Sequence, residues 1–240
     1  MPKICIPVMG RNVYALAEAA KRACAAQADL IELRIDSLSP MPCIQDALEA
    51  CRAVREAAPD TALLFTMRTR RDGGPGDSDA EAYEALLCAV CSAHAADAVD
   101  CELSAGEAVF KRIVSAAHAS DMAVVGSSHE FGEIGDMNRA QYWLEEQARL
   151  GADVCKAAVM THSRTQALEA ACVMTRAGEA LEQPVIGIAM GPAGVITRIG
   201  AECMGSCLTF GTAGEASAPG QIDAQTLRAS LQTVHMACKK

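Results

Sequence analysis

Hydrophobic and polar positions along the chain follow two alternating periods. Short runs rich in branched and sulfur-bearing residues, KICIPVM at 3–9, LIELRID at 30–36, ALLFTMR at 62–68 and AVDCELS at 98–104, are each followed by a longer alanine-rich stretch with helical spacing. The second half repeats this with AVVGSSH at 123–129, VCKAAVM at 154–160, VIGIAM at 185–190 and CLTFGTA at 207–213. The short runs predict strands and the long ones helices, which makes eight strand–helix units. With no long linker, charge block or low-complexity tract between them, such units predict an α/β fold, a closed (β/α)8 TIM barrel, with residues 1–240 as a single domain. An open dinucleotide-binding sheet is disfavoured. MGRNVYA, after the first strand, has one glycine where G-x-G-x-x-G would be needed to admit a pyrophosphate.

Composition narrows the partners. A chain of 240 residues that is 51% hydrophobic and 21% charged can bury one large core. A net charge of -9 argues against nucleic acid or an anionic membrane surface as a main partner. The opening MPKICIPVMGRN is too short and too soon interrupted for a signal peptide, and no later run approaches membrane-spanning length, so a cytoplasmic protein is expected. Twelve cysteines scattered through apolar segments are expected to be free, buried thiols. Cys88 and Cys91 have C-x-x-C spacing but fall inside a helical pattern, away from the strand-to-helix turn that redox motifs use. Neither a metal nor an organic cofactor is called for by any motif.

Catalytic groups in such a barrel come from the C-terminal ends of the strands, so polar residues there are the candidates. Glu32 and Arg34 are two apart on the second strand and share a face. Arg68 closes the third strand, His129 the fifth and Met190 the seventh. Taken singly, Glu32 and Arg34 read equally as a structural ion pair, His129 as a loop histidine and Arg68 as a surface charge. Lys156 is harder to explain away. It sits inside the apolar sixth strand, where helices cover the outside and leave the interior for a polar group. An unpaired buried ammonium costs several kcal/mol. The chemical alternative is a nucleophilic amine: an apolar or cationic site lowers its ordinary pKa of roughly 10.4 and leaves neutral amine to form a Schiff base with a ketone.

With IELRID, LLFTMRTRRDGG, VVGSSHEF, GADVCKAAVM, GVITRIGAECMGS and TFGTAGEASAPGQI in this order, the chain resembles the type I 3-dehydroquinate dehydratases from about residue 3 to about residue 236. The resemblance implies a lyase of the shikimate pathway of aromatic amino acid biosynthesis, which needs no cofactor and takes 3-dehydroquinate as its small-molecule substrate. It implies Lys156 as the imine-forming lysine, His129 as the proton shuttle and Arg198 as the binder of the substrate carboxylate. Glu32, Arg34 and Arg68 would line the pocket, Met190 would supply an apolar wall, and Ser217 and Gln221 would belong to a loop closing over the substrate. Together with the frequency of two-fold assemblies, it suggests a homodimer.

Two departures stand out. The family usually has a glutamate four residues after the pocket arginine to orient the histidine, whereas this chain has Asp72. Aspartate is one methylene shorter, so Asp72 is expected to meet His129 directly or through one water, with Gly73 and Gly74 giving the loop freedom to approach. Ile188 stands where a second pocket methionine is common. The competing readings are a class I aldolase, which also holds an imine-forming lysine on the sixth strand, and a non-catalytic barrel that binds a metabolite.

Overall fold

The computed structural model describes residues 1–39, 41–214 and 217–239. Strands and helices alternate as β1 (Lys3–Val8), α1 (Val13–Ala25), β2 (Leu30–Arg34), α2 (Ile44–Ala57), β3 (Ala62–Thr66), α3 (Ala80–Ser92), β4 (Ala98–Glu102) and α4 (Glu107–His118). They continue as β5 (Ala123–Glu130), α5 (Asn138–Arg149), β6 (Val154–Met160), α6 (Arg164–Ala180), β7 (Val185–Met190), α7 (Val195–Ile199), β8 (Leu208–Thr212), β9 (Ile222–Asp223) and α8 (Ala224–Cys238). Helix starts are marked by side chains that accept an otherwise orphaned backbone N–H: Asn12 on α1, Asp79 on α3, Ser163 on α6 and Asp223 on α8.

All eight expected strands form, parallel, in the order β7-β6-β5-β4-β3-β2-β1-β8, and β9 is an addition. The sheet curls until β8 lies beside β1, and it meets β7 near its start, where Val185 bridges Ser206 and the Cys207 N–H donates to the Val185 carbonyl at 2.9 Å. This is the expected TIM barrel, pinned between β7 and β8 at that end. The two-residue β9 pairs with Gly211 and Thr212 after the loop that leaves β8.

A repeat not read from the sequence secures the same end. Asp29, Asp97 and Asp153 precede β2, β4 and β6, and each accepts the N–H of a residue at the start of the preceding strand: Ile4 at 2.8 Å, Leu63 at 2.7 Å and Val124 at 2.7 Å. Charge-assisted bonds of this kind satisfy N–H groups the sheet leaves open.

Strand alternation sorts the side chains into two layers. Ile4, Ile6 and Val8 on β1, Leu63 and Phe65 on β3, and Cys155, Ala157 and Val159 on β6 pack outward into the main core under the helices. Cys5, Leu64, Val125, Ala158, Ile186, Ile188, Met190 and Phe210 form a smaller apolar cluster of the opposite parity, inside the barrel. Lys156 has this inward parity, as do Glu32, Asp100 and Ser127.

The cysteines depart in part from expectation. All twelve are free, but Cys43, Cys172, Cys203 and Cys238 are exposed, because they lie at helix ends or on outer faces instead of the core stripe. Cys88 and Cys91 do lie within α3, with Cys91 fully buried.

Candidate active site

The question posed by Lys156 is answered across the barrel. Its Nζ lies 3.3 Å from Asp100 Oδ2, 3.7 Å from Glu32 Oε1 and 4.6 Å from the Phe210 ring centroid. The side chain is 4% exposed, so these two carboxylates and the aromatic face take over from water. The setting is therefore not the apolar or cationic one suggested by the strand alone. Strand neighbours hide this, because Asp100 is 56 residues away in sequence.

Asp100 joins Lys156 to a second cation. Arg68 Nη2 lies 2.7 Å from Asp100 Oδ2, a close ion contact outside hydrogen-bond geometry, while Nη1 donates to Glu102 Oε1 at 2.9 Å and to Ser127 Oγ at 3.0 Å. Ser127 donates in turn to Asp100 Oδ1 at 2.6 Å. Burial alone would raise the Asp100 carboxyl, but Arg68 and Lys156 outweigh it and hold the group well below the usual carboxylate range. Arg68 is thus no surface charge. Arg34 pairs not with Glu32 but with Asp36, through Nε at 3.0 Å and Nη2 at 2.8 Å, and Glu32 accepts from Thr66 Oγ1 at 3.1 Å.

His129 is the penultimate residue of β5 and meets Asp72 directly. Asp72 Oδ2 lies 3.1 Å from His129 Nδ1 and also accepts the His129 backbone N–H at 3.0 Å. Asp72 is 3% exposed, and Arg70 pairs with Asp77 at 3.1 Å, so the carboxylate is not a solvated counter-ion to its basic neighbours. Gly73, at φ +77°, turns the chain immediately after it, with no room for a β-carbon beside the Phe131 ring. An ionised carboxylate only accepts hydrogen bonds, so this pairing puts the imidazole proton on Nδ1 and leaves the Nε2 lone pair free. Burial, then the charges of Arg68 and Lys156, push the His129 pKa well below its ordinary 6.5. At neutral pH it is an uncharged base.

Arg198 in α7 is 1% exposed, and no carboxylate of the described residues pairs with it. Its Nη1 and Nη2 donate at 3.4 and 3.3 Å to the carbonyls of Phe210 and Pro219, while Nε has no partner among the described residues. Burial pushes its pKa down to about 10, so at neutral pH the guanidinium is charged and has no counter-ion among the described residues. In the loop before β9, Gln221 accepts the Ser217 N–H at 2.8 Å and donates to Ser217 Oγ at 2.9 Å.

One cavity gathers these groups. Glu32, Arg34, Arg68, His129, Lys156, Met190, Arg198, Ser217 and Gln221 all line it, with Ile188, Ala158, Ala218, Gly73, Phe131 and Phe210. Asp72 stands behind His129 and lines a neighbouring pocket. Residues 4–237 match the model of the type I 3-dehydroquinase family. The chain belongs to that family. It is 36% identical over 234 residues to the 3-dehydroquinate dehydratase of Listeria welshimeri, covering 98% of this chain and 93% of the relative. Its structure superposes with a TM-score of 0.93 on type I 3-dehydroquinate dehydratase from Clostridium difficile, solved with covalent modified comenic acid, at 32% identity over 98% of this chain and 93% of the other. The Geobacillus kaustophilus 3-dehydroquinate dehydratase gives the same TM-score of 0.93, at 31% identity over 98% and 92% of the two chains.

Sequence reasoning passed over several residues of this type I site. Asp100 and Glu102 alternate on β4 as Glu32 and Arg34 do on β2, so the signal that found the second pair was present for the first. Phe210 and Phe131 gave none, since an aromatic ring in a strand or loop reads as packing. Among the described residues, no helix is long and apolar enough to cross a membrane.

Proposed function

We propose that the chain dehydrates 3-dehydroquinate to 3-dehydroshikimate through an imine on Lys156, as one catalytic domain of residues 1–240 acting in the cytoplasm and as a homodimer. The observation that carries the reading is a buried lysine amine sharing one cavity with a neutral, carboxylate-held histidine and a buried arginine that has no counter-ion among the described residues. In this reading Arg198 takes the substrate carboxylate, a planar anion that a buried guanidinium can hold through two parallel N–H groups. Lys156 gives up a proton, with the neutral His129 as the acceptor at hand, and attacks the C3 ketone. The carbinolamine hydroxyl takes back the proton from His129 and leaves as water, which gives a protonated imine and restores the neutral imidazole. Its nitrogen keeps the positive charge that the ammonium had, so Asp100, Glu32 and the Phe210 ring favour the cationic imine over the neutral one. A cationic imine is the electron sink that acidifies the C2 proton.

His129 removes that proton at Nε2, giving an enamine and an imidazolium. The enamine expels the C1 hydroxyl, which takes the same proton from His129 and leaves as water. Hydrolysis of the product imine frees Lys156. Met190, Ile188 and Ala158 supply the apolar wall of the cavity, and Ser217 and Gln221 its rim. An aldolase would need an anchor for a phosphate or aldehyde, and the groups above suit a carboxylate-bearing ring better. Appearance of the ultraviolet absorbance of the conjugated enone after addition of 3-dehydroquinate tests the reaction. A flat trace at high enzyme concentration would sink it.

Arg198→Ala is expected to raise KM by on the order of 10- to 100-fold, the worth of a charge-assisted pair, with kcat changed only a few-fold. Steady-state kinetics checks this, and an unchanged KM beside a collapsed kcat would remove Arg198 from carboxylate binding.

Asp72→Asn keeps the size of the side chain but removes its charge, and the amide can donate to Nδ1 and hold the wrong tautomer. Turnover is expected to fall about 10- to 100-fold. The acid limb of kcat/KM should move to lower pH, since a carboxylate beside the ring favours its protonated form. Asp72→Glu should be tolerated. An unaltered profile and rate in Asp72→Asn would mean that something else orients His129.

A further inference from the structure

We infer that Gln147, which lies outside the cavity, is a positioning residue that sets where Lys156 stands relative to His129. The inference rests on Lys156 being the imine-forming residue. Gln147 is on α5, on the same face as the buried Ala140 and Leu144, and is itself fully buried. A carboxamide on an apolar helix stripe needs partners, and its partners are the backbone of Lys156. Oε1 accepts the Lys156 N–H at 2.8 Å, and Nε2 donates to the Lys156 carbonyl at 3.1 Å and to Ser128 Oγ at 3.1 Å.

These bonds use the amide in full. Its planar group meets both polar backbone groups of Lys156, as the peptide of an adjoining strand would, and ties them to the residue that precedes His129. The site is also built for it from β5. A β-carbon at Gly126 would stand 3.0 Å from Cβ and Cγ of Gln147, and glycine leaves that space open. One side chain therefore fixes β6 at the nucleophile against β5 one residue from the base. Rotation of the Lys156 peptide would swing Nζ away from its 3.3 Å contact with Asp100, and the clamp resists this. Misplacement by about 1 Å is enough to slow a reaction on the order of 100-fold.

The test compares Gln147→Leu and Gln147→Met, which remove the amide at similar size, with Gln147→Glu, which keeps the acceptor for the Lys156 N–H but loses the donor to its carbonyl. Imine formation is followed by mixing enzyme with 3-dehydroquinate, quenching with borohydride at intervals and measuring the mass added to the Lys156 peptide. The rate is normalised to the sites trapped at the end point. The expected result is a per-site rate reduced on the order of 10- to 100-fold in the Leu and Met variants and by less in the Glu variant, with kcat following and KM within about threefold of wild type. A residue that only packs would give fewer trappable sites, each reacting at the wild-type rate, and that result overturns the inference. Should the Leu variant fail to fold, the Met and Glu variants carry the same comparison. Trapping of wild type at a residue other than Lys156 overturns both this inference and the reading beneath it, whereas normal wild-type trapping with unchanged variant rates overturns this inference alone.

Discussion

Lys156→Ala is expected to lose essentially all turnover while still folding. Among the described residues no other amine lines the cavity, so no imine is expected to form, and the electron sink for removal of the C2 proton is gone. Borohydride added with substrate should inactivate wild type and place the ligand mass on the Lys156 peptide, and it should do neither to the variant. Mass on another lysine would reassign the nucleophile. Breaking a buried ion pair typically destabilises by about 3 to 5 kcal/mol, but Arg68 remains 2.7 Å from Asp100, so a smaller loss is expected here. The effect depends on pH. Asp100 is held below its ordinary 3.8, so its ion pairs contribute stability that is present above that value and is lost as pH falls through the folded value. Lys156 supplies part of that contribution. The difference in Tm between variant and wild type should therefore narrow on acidification.

His129→Ala is expected to lower kcat by about 100- to 10,000-fold, the usual worth of a positioned general base, with KM little changed. In the proposed mechanism Arg198 holds the substrate and Lys156 the imine, so borohydride should still add mass to Lys156. That separates loss of proton transfer from loss of binding. In wild type the base must be neutral, and burial with the charges of Arg68 and Lys156 lowers its pKa well below 6.5. The acid limb of kcat/KM should accordingly lie on the acid side of the ordinary histidine range. Stability has the same sign. Below 6.5 the unfolded chain binds a proton that the folded chain refuses, so this residue weakens the fold as pH falls. A wild-type acid limb at or above 6.5, or a near-normal kcat in His129→Ala, would end the assignment.

The barrel and the inward polar groups of its strands were legible in the chain because both rest on local periodicity. Alternation with period two sends Lys156, Glu32 and Arg68 inward once the outside is known to be covered, and eight strand–helix repeats make a covered outside. Motif order then pointed to the family, and the gathering of Lys156, His129 and Arg198 in one cavity agrees with that order. What periodicity does not carry is the identity of partners across the barrel. Glu32 and Arg34 read as a possible pair because they are two residues apart, yet Arg34 bonds Asp36 in the turn that follows β2, and Glu32 faces Lys156 on β6, across the barrel from its own strand.

Tertiary structure alone decided the electrostatics of the site. The strand around Lys156 is apolar, and on sequence that argued for an isolated amine. Closure of the barrel brings Asp100 from two strands away and Arg68 with it, and charge interactions depend on distance in space, not along the chain. The same holds for the pKa of His129 and for that of Arg198, both set by burial that no window of residues contains. Gln147 is the clearest case. In sequence it is one polar residue on an amphipathic helix, and only packing of α5 against β5 and β6 turns it into the group that grips the Lys156 backbone. The chain by itself determined which chemistry was available and on which end of the strands it would stand. Which charge meets which was left to the closing of the sheet, because the partners lie on different strands and only the curl of the barrel brings their side chains together.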